Sequence, residues 1–177
     1  DPQTARLPYD LRFHGEIRQC GKVTSLRCTV YTLTGGAHGL LTNLFFNFDT
    51  ESGKPLDKAD LFSDTAGLQR LNRQYFAKHL SDAALSEDAL FVGTDQLPLP
   101  ENVGIDSSGV TMLYNPYEVA PYAIGTIEYR IPYTNAGKRG LLTYFYDGCW
   151  TPENQLGAVY PRPSEESESW NSEPSTL

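Results

Sequence analysis

Residues 9–23 read YDLRFHGEIRQCGKV, and apolar and polar side chains alternate along most of this stretch. Alternation of period two with one polar face predicts a half-buried strand over residues 9–19. The apolar face of that strand carries Tyr9, Leu11, Phe13 and Ile17. A glycine at position 21 followed by Lys22 suits a two-residue hairpin turn, which places Cys20 opposite Val23 and Cys28 opposite Gly15.

The meander continues on both sides of a glycine-rich segment at residues 34–39. A returning strand over residues 26–32 is predicted before it, and a third strand with Leu44, Phe46 and Phe48 after it. The period changes after residue 60, where apolar residues recur every three or four positions. We therefore predict a helix over about residues 64–81, capped by Ser63 or Asp64, and a second short helix over residues 83–90.

Further strands are predicted over residues 110–114, 124–133 and 141–146. Pro98 and Pro100 lack amide donors, so residues 97–102 do not form a central strand. The predicted fold class is α+β, an antiparallel β-sheet packed against one long helix and one or two short helices. We expect one domain over residues 1–160 and an acidic tail, rich in Ser, Glu and Pro, over residues 161–177.

The charge of the chain disfavours several partners. Its 177 residues include 14 basic and 22 acidic side chains, a net charge of −8, and the basic ones form no cluster. Nucleic-acid binding and adhesion to an anionic membrane both need such clusters. The chain also has no apolar run long enough to span a membrane. A cationic partner would instead be attracted to it.

The sequence contains no motif for metal-dependent or nucleophilic catalysis. None of His14, His38 and His79 has a histidine or cysteine partner at ligand spacing. Residues 49–60 resemble a calcium loop only superficially, because Gly53 and Lys54 stand where a ligand and a glycine are needed. No Gly-x-Ser-x-Gly motif occurs. We expect no metal, no cofactor and no enzymatic activity, with a pair of convergent carboxylates as the rival hypothesis.

The three cysteines leave two alternatives open. The hairpin register separates Cys20 from Cys28, so either of them could form a disulfide with Cys149. Alternatively, all three are reduced and buried.

Two segments contain the candidate binding residues. Gly35 and Gly36 could direct backbone amides outward to receive an anion or a carbonyl group, although His38 could equally cap a carbonyl within a simple strand connection. The second segment, YNPYEVAPYAIG at residues 114–125, predicts a short helical turn that Asn115 caps and that ends at Pro121.

The second segment also has a structural and a functional interpretation. Glu118 could bond back to the Asn115 amide, or Tyr114, Tyr117 and Tyr122 could form a rigid binding surface. The complete candidate set for binding is Gly35, Gly36, His38, Tyr114, Asn115, Tyr117, Glu118, Pro121 and Tyr122.

Taken in order, these segments resemble the bacterial DUF3298 family, often called the RsiV-like domain. The resemblance covers about residues 23–135, through Gly35–Gly39, Asn47–Asp49 with Gly53-Lys54, Asp60–Phe62, Tyr114–Ala123 and Ile131–Tyr133. Residues 1–22 look like the end of the DUF4163-type region that commonly precedes this domain. No part of the resemblance extends over residues 138–177.

The resemblance implies an α+β module outside the cytoplasm, whether periplasmic, secreted or lipoprotein-anchored. Some members of the family bind host lysozyme as the outer part of anti-sigma factors, and others accompany peptidoglycan deacetylase domains. We therefore expect a non-enzymatic binding or sensing domain whose partner is lysozyme or another basic protein. Binding to cell-wall glycan, as a peptidoglycan-binding or hydrolase-accessory module, is the alternative.

Overall fold

The computed structural model describes residues 9–133, which fold into two antiparallel sheets with helices between them in sequence. The first sheet has the order β1-β2-β3-β4, formed by Tyr9–Cys20, Val23–Thr34, Leu40–Asp49 and Pro55–Leu56. Helices α1 (Lys58–Leu61) and α2 (Thr65–Asp82) follow. The second sheet has the order β5-β6-β7, formed by Asn102–Asp106, Gly109–Tyr114 and Ile127–Pro132. The predicted α+β class is confirmed.

The first hairpin has the register that its turn sequence predicts. Cys20 lies opposite Val23, and Gly15 lies opposite Cys28. Gly21 has a φ of 55°, the left-handed conformation that glycine adopts without a steric penalty. Because the two turn residues fix the pairing, the whole of β1 is set in register against β2.

Helix α2 packs its apolar face into the core. The Asp64 side chain caps its first turn by accepting from the Gly67 amide at 2.7 Å. Leu68, Leu71 and Phe76 on its inner face are almost completely buried against the second sheet. The predicted helix is therefore confirmed to within a residue or so at each end.

The prediction of a second helix over residues 83–90 is wrong. Ala84 takes a φ of 53°, and the Leu85 amide donates to the Leu80 carbonyl, which ends α2 with a left-handed cap. Only Glu87–Ala89 forms a single 3-10 turn in this stretch.

Other boundaries also differ from the sequence predictions. The last described strand begins at Ile127, because Tyr122–Ile124 form a 3-10 turn and Gly125 takes a φ of 78°. Strand β5 was not predicted, nor were the short elements β4 and α1. The predicted strand at residues 141–146 and the acidic tail at 161–177 lie outside the described residues.

The polar face of the first sheet, and not its apolar face, lies against the second sheet. Ser25 Oγ accepts from the Ile105 amide at 2.9 Å, and Asn47 Nδ2 donates to the Val103 carbonyl at 2.8 Å. These side chains hydrogen-bond to the backbone groups on the edge of β5 that has no strand partner. The alternation along β1 is confirmed, but its apolar face is exposed: Leu11 is 73% and Ile17 70% accessible.

The cysteines differ in state. Cys20 is disulfide-bonded, and its sulfur also lies 3.7 Å from the Tyr133 hydroxyl. Cys28 is a free, buried thiol. The alternative in which all three cysteines are reduced is therefore wrong. Cys149, the partner that the sequence analysis offered for either Cys20 or Cys28, lies outside the described residues.

Candidate functional site

Three aromatic side chains from the two candidate segments meet at one surface, which we call the aromatic corner: His38, Tyr117 and Tyr122. The rings of His38 and Tyr122 stack with centroids 4.0 Å apart and an interplanar angle of 23°. The Tyr117 ring lies 5.8 Å from that of Tyr122 at an angle of 30°. Tyr117 is 54% exposed, so the corner presents aromatic surface to solvent.

The glycine segment and the tyrosine turn are joined through one carbonyl group. The Tyr122 hydroxyl donates to the Gly39 carbonyl at 2.8 Å, although the two residues are 83 positions apart. His38 Nδ1 lies 3.0 Å from the same oxygen. The imidazole therefore caps a carbonyl within a strand connection, as one of the two sequence interpretations proposed.

Gly39 was not among the predicted site residues, yet the corner depends on it. A Cβ atom at this position would lie 2.2 Å from the Tyr31 ring, so any other residue would displace that ring. Gly35 takes a φ of 83°, which permits the reversal of the chain between β2 and β3. Gly36 follows it in the same bend, where a Cβ would meet only the His38 carbonyl oxygen at 3.7 Å.

Tyr117 has an unusual backbone conformation. Its φ is 73°, and tyrosine pays a steric cost in this left-handed region that glycine does not. Two hydrogen bonds hold it there, from the Tyr117 amide to the Ala120 carbonyl at 3.0 Å and from the Glu118 amide to the Asn115 carbonyl at 3.1 Å. Strained residues of this kind concentrate at functional sites.

Asn115 is a structural anchor for the turn. It is 9% exposed, and its amide group pairs with the backbone of Asn43 on β3. Asn115 Oδ1 accepts from the Asn43 amide at 2.7 Å, and Nδ2 donates to the Asn43 carbonyl at 2.9 Å. The side chain thus continues the hydrogen bonding of a strand edge and fixes the turn against the first sheet.

The predicted capping arrangement of this segment is wrong in detail. Residues 116–118 form a turn and not a helix, and Pro121 precedes the 3-10 turn at Tyr122–Ile124. Glu118 accepts at 3.2 Å from Asn115 Nδ2, which is a side-chain atom and not the backbone amide. Because the side chain of Asn115 is already committed to β3, it holds the carboxylate of Glu118, an exposed residue that follows Tyr117 in the chain.

Tyr114 does not belong to the aromatic corner, and its prediction as a surface binding residue is wrong. It is 1% exposed, because its position on β6 turns the ring into the core. Its hydroxyl donates to the Pro98 carbonyl at 2.6 Å and accepts from Asn72 Nδ2 at 2.8 Å. Burial raises the pKa of Tyr114 to about 12.

Asn72 connects this core network to the helix. It is fully buried on α2, and its Oδ1 accepts from the Tyr129 hydroxyl at 2.6 Å. Burial, with the neighbouring Tyr114, raises the pKa of Tyr129 strongly. Both phenols are therefore neutral donors at physiological pH and serve the fold.

A second buried network joins the two sheets at Asp106. Its carboxylate lies 2.8 Å from Arg18 Nη1 and 2.9 Å from Arg130 Nη2. Burial opposes the ionisation of Asp106, but hydrogen bonds from Ser108 and the two guanidinium groups outweigh it and lower its pKa. Asp106 is thus an anion at neutral pH, which suits an ion pair and not a general acid.

Two features of other protein classes are absent from the described part of the chain. Among residues 9–133, no helix has both the length and the apolar composition needed to cross a membrane. In that range the structure also brings together no three His, Cys, Asp or Glu side chains that could hold a metal ion.

These features define an α+β domain with a preorganised aromatic surface. Residues 59–134 match the model of the family described as Protein of unknown function (DUF3298). That range contains Tyr117, Glu118 and Tyr122, whereas the glycine segment precedes it. No curated protein sequence matches the chain.

Two solved structures share the fold. A DUF3298 family member from Bacteroides fragilis NCTC 9343 is 25% identical, with a TM-score of 0.65 over 81% of this chain and 58% of that chain. A DUF3298 family protein from Pseudomonas aeruginosa PAO1 is 23% identical, with a TM-score of 0.60 over 76% of this chain and 62% of that chain. The present chain therefore spans about three fifths of the length of these two proteins.

Proposed function

We propose that this chain is a non-enzymatic, extracytoplasmic binding or sensing domain of the RsiV-like type, in which about residues 1–22 are the end of a DUF4163-type region. Its partner in this proposal is a basic protein such as lysozyme. The observation that carries the proposal is the aromatic corner, whose exposed Tyr117 is followed in the chain by the exposed Glu118.

The corner has the chemistry that recognises a lysine or arginine side chain. An exposed tyrosine ring attracts a cation to its face, and a neighbouring carboxylate neutralises the charge. The rings are already ordered by the Gly39 and Asn115 hydrogen bonds, so binding would cost little conformational entropy. Tyr117 keeps a strained backbone although the residue is 54% exposed, a combination more typical of a functional site than of a residue that only supports the fold.

Charge and redox state support the rest of the proposal. A net charge of −8 attracts a basic protein over long range and raises its association rate at low salt. The disulfide at Cys20 is typical of proteins in oxidising compartments outside the cytoplasm.

Cell-wall glycan is the second candidate, because exposed aromatic rings can also stack on sugar rings. Glycan binding would depend on the ring of Tyr117 but not on the charge of Glu118. Retention on insoluble peptidoglycan, insensitive to salt, would favour this candidate.

Titration with hen lysozyme at low and moderate salt tests the proposal. Tyr117→Ala should weaken binding about 10- to 100-fold, as expected for an aromatic anchor. The matched control is Phe46→Ala, which removes a ring of similar exposure, 45%, from the outer side of β3. That control should bind like the unaltered chain.

A second pair of variants separates local recognition from net charge. Glu118→Gln and Glu51→Gln each remove one negative charge, and Glu51 is exposed in the turn after β3, at the opposite end of that strand from Gly39 and the corner. Glu118→Gln should weaken binding several-fold more than Glu51→Gln. Equal effects would show that net charge alone explains the attraction. Absence of salt-sensitive binding would exclude lysozyme as the partner.

A further inference from the structure

The outer face of the first sheet, meaning the side of β1, β2 and β3 that points away from the second sheet, carries no charged side chain. Register places every second residue of the three strands on it. Its apolar members are Tyr9, Leu11, Phe13, Ile17, Leu26, Cys28, Val30, Leu40, Leu44, Phe46 and Phe48. The other positions on this face are Gly15, Gln19, Thr24, Thr32, Thr34 and Thr42.

This face is unusually open to solvent for its composition. Tyr9, Phe13 and Ile17 are 79%, 65% and 70% exposed, and Leu44 and Phe46 are 38% and 45% exposed. Monomeric domains rarely leave a continuous apolar patch of this kind uncovered. Within residues 9–133, therefore, no other element covers the apolar side chains of this face.

We propose that the outer face is the contact between two copies of this chain, which stack their first sheets face to face. An uncharged and largely apolar face can meet its own copy about a two-fold axis, because apolar surface then faces apolar surface. Two such sheets would pack about 10 Å apart with their strands nearly aligned.

The available area matches what a stable dimer needs. Tyr9, Leu11, Phe13, Ile17, Leu44 and Phe46 together present on the order of 700 Å² at their exposed fractions, close to the ~800 Å² per partner of a standard interface. Copies of net charge −8 repel each other, but salt screens that repulsion and the outer face itself opposes no like charges.

Sedimentation equilibrium of the full chain, from low micromolar to submillimolar concentration, tests this proposal. Ile17→Lys and Phe13→Lys each place a charge within the contact and should raise the dimer dissociation constant by about 100-fold or more. These positions are exposed in the single chain, so the far-ultraviolet circular dichroism of both variants should match that of the unaltered protein.

Phe91→Lys is the matched control, because Phe91 is 56% exposed but lies outside the first sheet. It should leave the dissociation constant unchanged. A chain that stays monomeric over the whole range overturns the proposal, whether its outer face remains wet, is covered by residues 134–177 or binds lipid vesicles. A dimer that tolerates both lysines overturns it as well, since the contact would then lie elsewhere.

Discussion

Replacing Tyr117 by glycine should stabilise the domain relative to replacing it by alanine. At a φ of 73° an L-residue with a Cβ pays about 1 kcal/mol or more that glycine does not. Both variants lose the same ring and the same contact with Tyr122, so these losses cancel in the comparison. We therefore expect Tyr117→Gly to unfold with a free energy about 1 kcal/mol above that of Tyr117→Ala.

Urea unfolding followed by circular dichroism measures this difference, provided that the denaturant dependence is the same for both variants. The control pair is Lys78→Gly and Lys78→Ala at an exposed position inside α2, where alanine should be the more stable by about 1 kcal/mol. The reasoning fails if alanine is at least as stable as glycine at position 117. Neither variant should bind lysozyme like the unaltered chain, and a more stable Tyr117→Gly would show that a side chain at position 117 costs the fold free energy.

Three further predictions concern the networks that hold the fold. Stability of the unaltered chain should fall as the pH drops below about 4, because Asp106 has a lowered pKa in the folded state and the unfolded state therefore takes up the proton first. Asp106→Asn should be less stable by about 2–3 kcal/mol at neutral pH, and its stability should change less with pH over the acid range. In a double-mutant cycle, Asn72→Ala and Tyr129→Phe together should lower the unfolding free energy by at least about 1 kcal/mol less than the sum of the two single changes. The reason is that the double variant leaves no hydroxyl group without a hydrogen-bond partner. Additive free energies from urea unfolding would contradict the network. Non-reducing peptide mapping should link Cys20 to Cys149, and reduction should lower the unfolding free energy by roughly 4 kcal/mol; a Cys149 found as a free thiol would contradict the pairing.

Local signals were sufficient for the elements whose determinants lie close together in sequence. The hairpin register follows from the Gly21-Lys22 turn, and the start of α2 follows from the capping side chain of Asp64. Strand β5 was not recognised because prolines precede it and a turn follows it. Its pairing with β6 depends on neighbours in space, which local periodicity does not report.

Alternation shows that a strand has two different faces, but it does not show which one is buried. The polar face of β2 and β3 lies inside because Ser25 and Asn47 satisfy the backbone of β5. The same limit applies to the site: the turn that carries Tyr117 and Tyr122 was predicted from the sequence, whereas the burial of Tyr114 depends on the orientation of β6. The need for a glycine at position 39 depends on a tyrosine ring from the neighbouring strand.

Tyrosine ring resonances during a titration with hen lysozyme test most directly whether the aromatic corner is the contact surface. The rings of Tyr117 and Tyr122 should shift or broaden in proportion to the bound fraction, and those of the buried Tyr114 and Tyr129 should not. Saturable binding that leaves the Tyr117 and Tyr122 signals unchanged would place the contact elsewhere and contradict the proposed function of the corner.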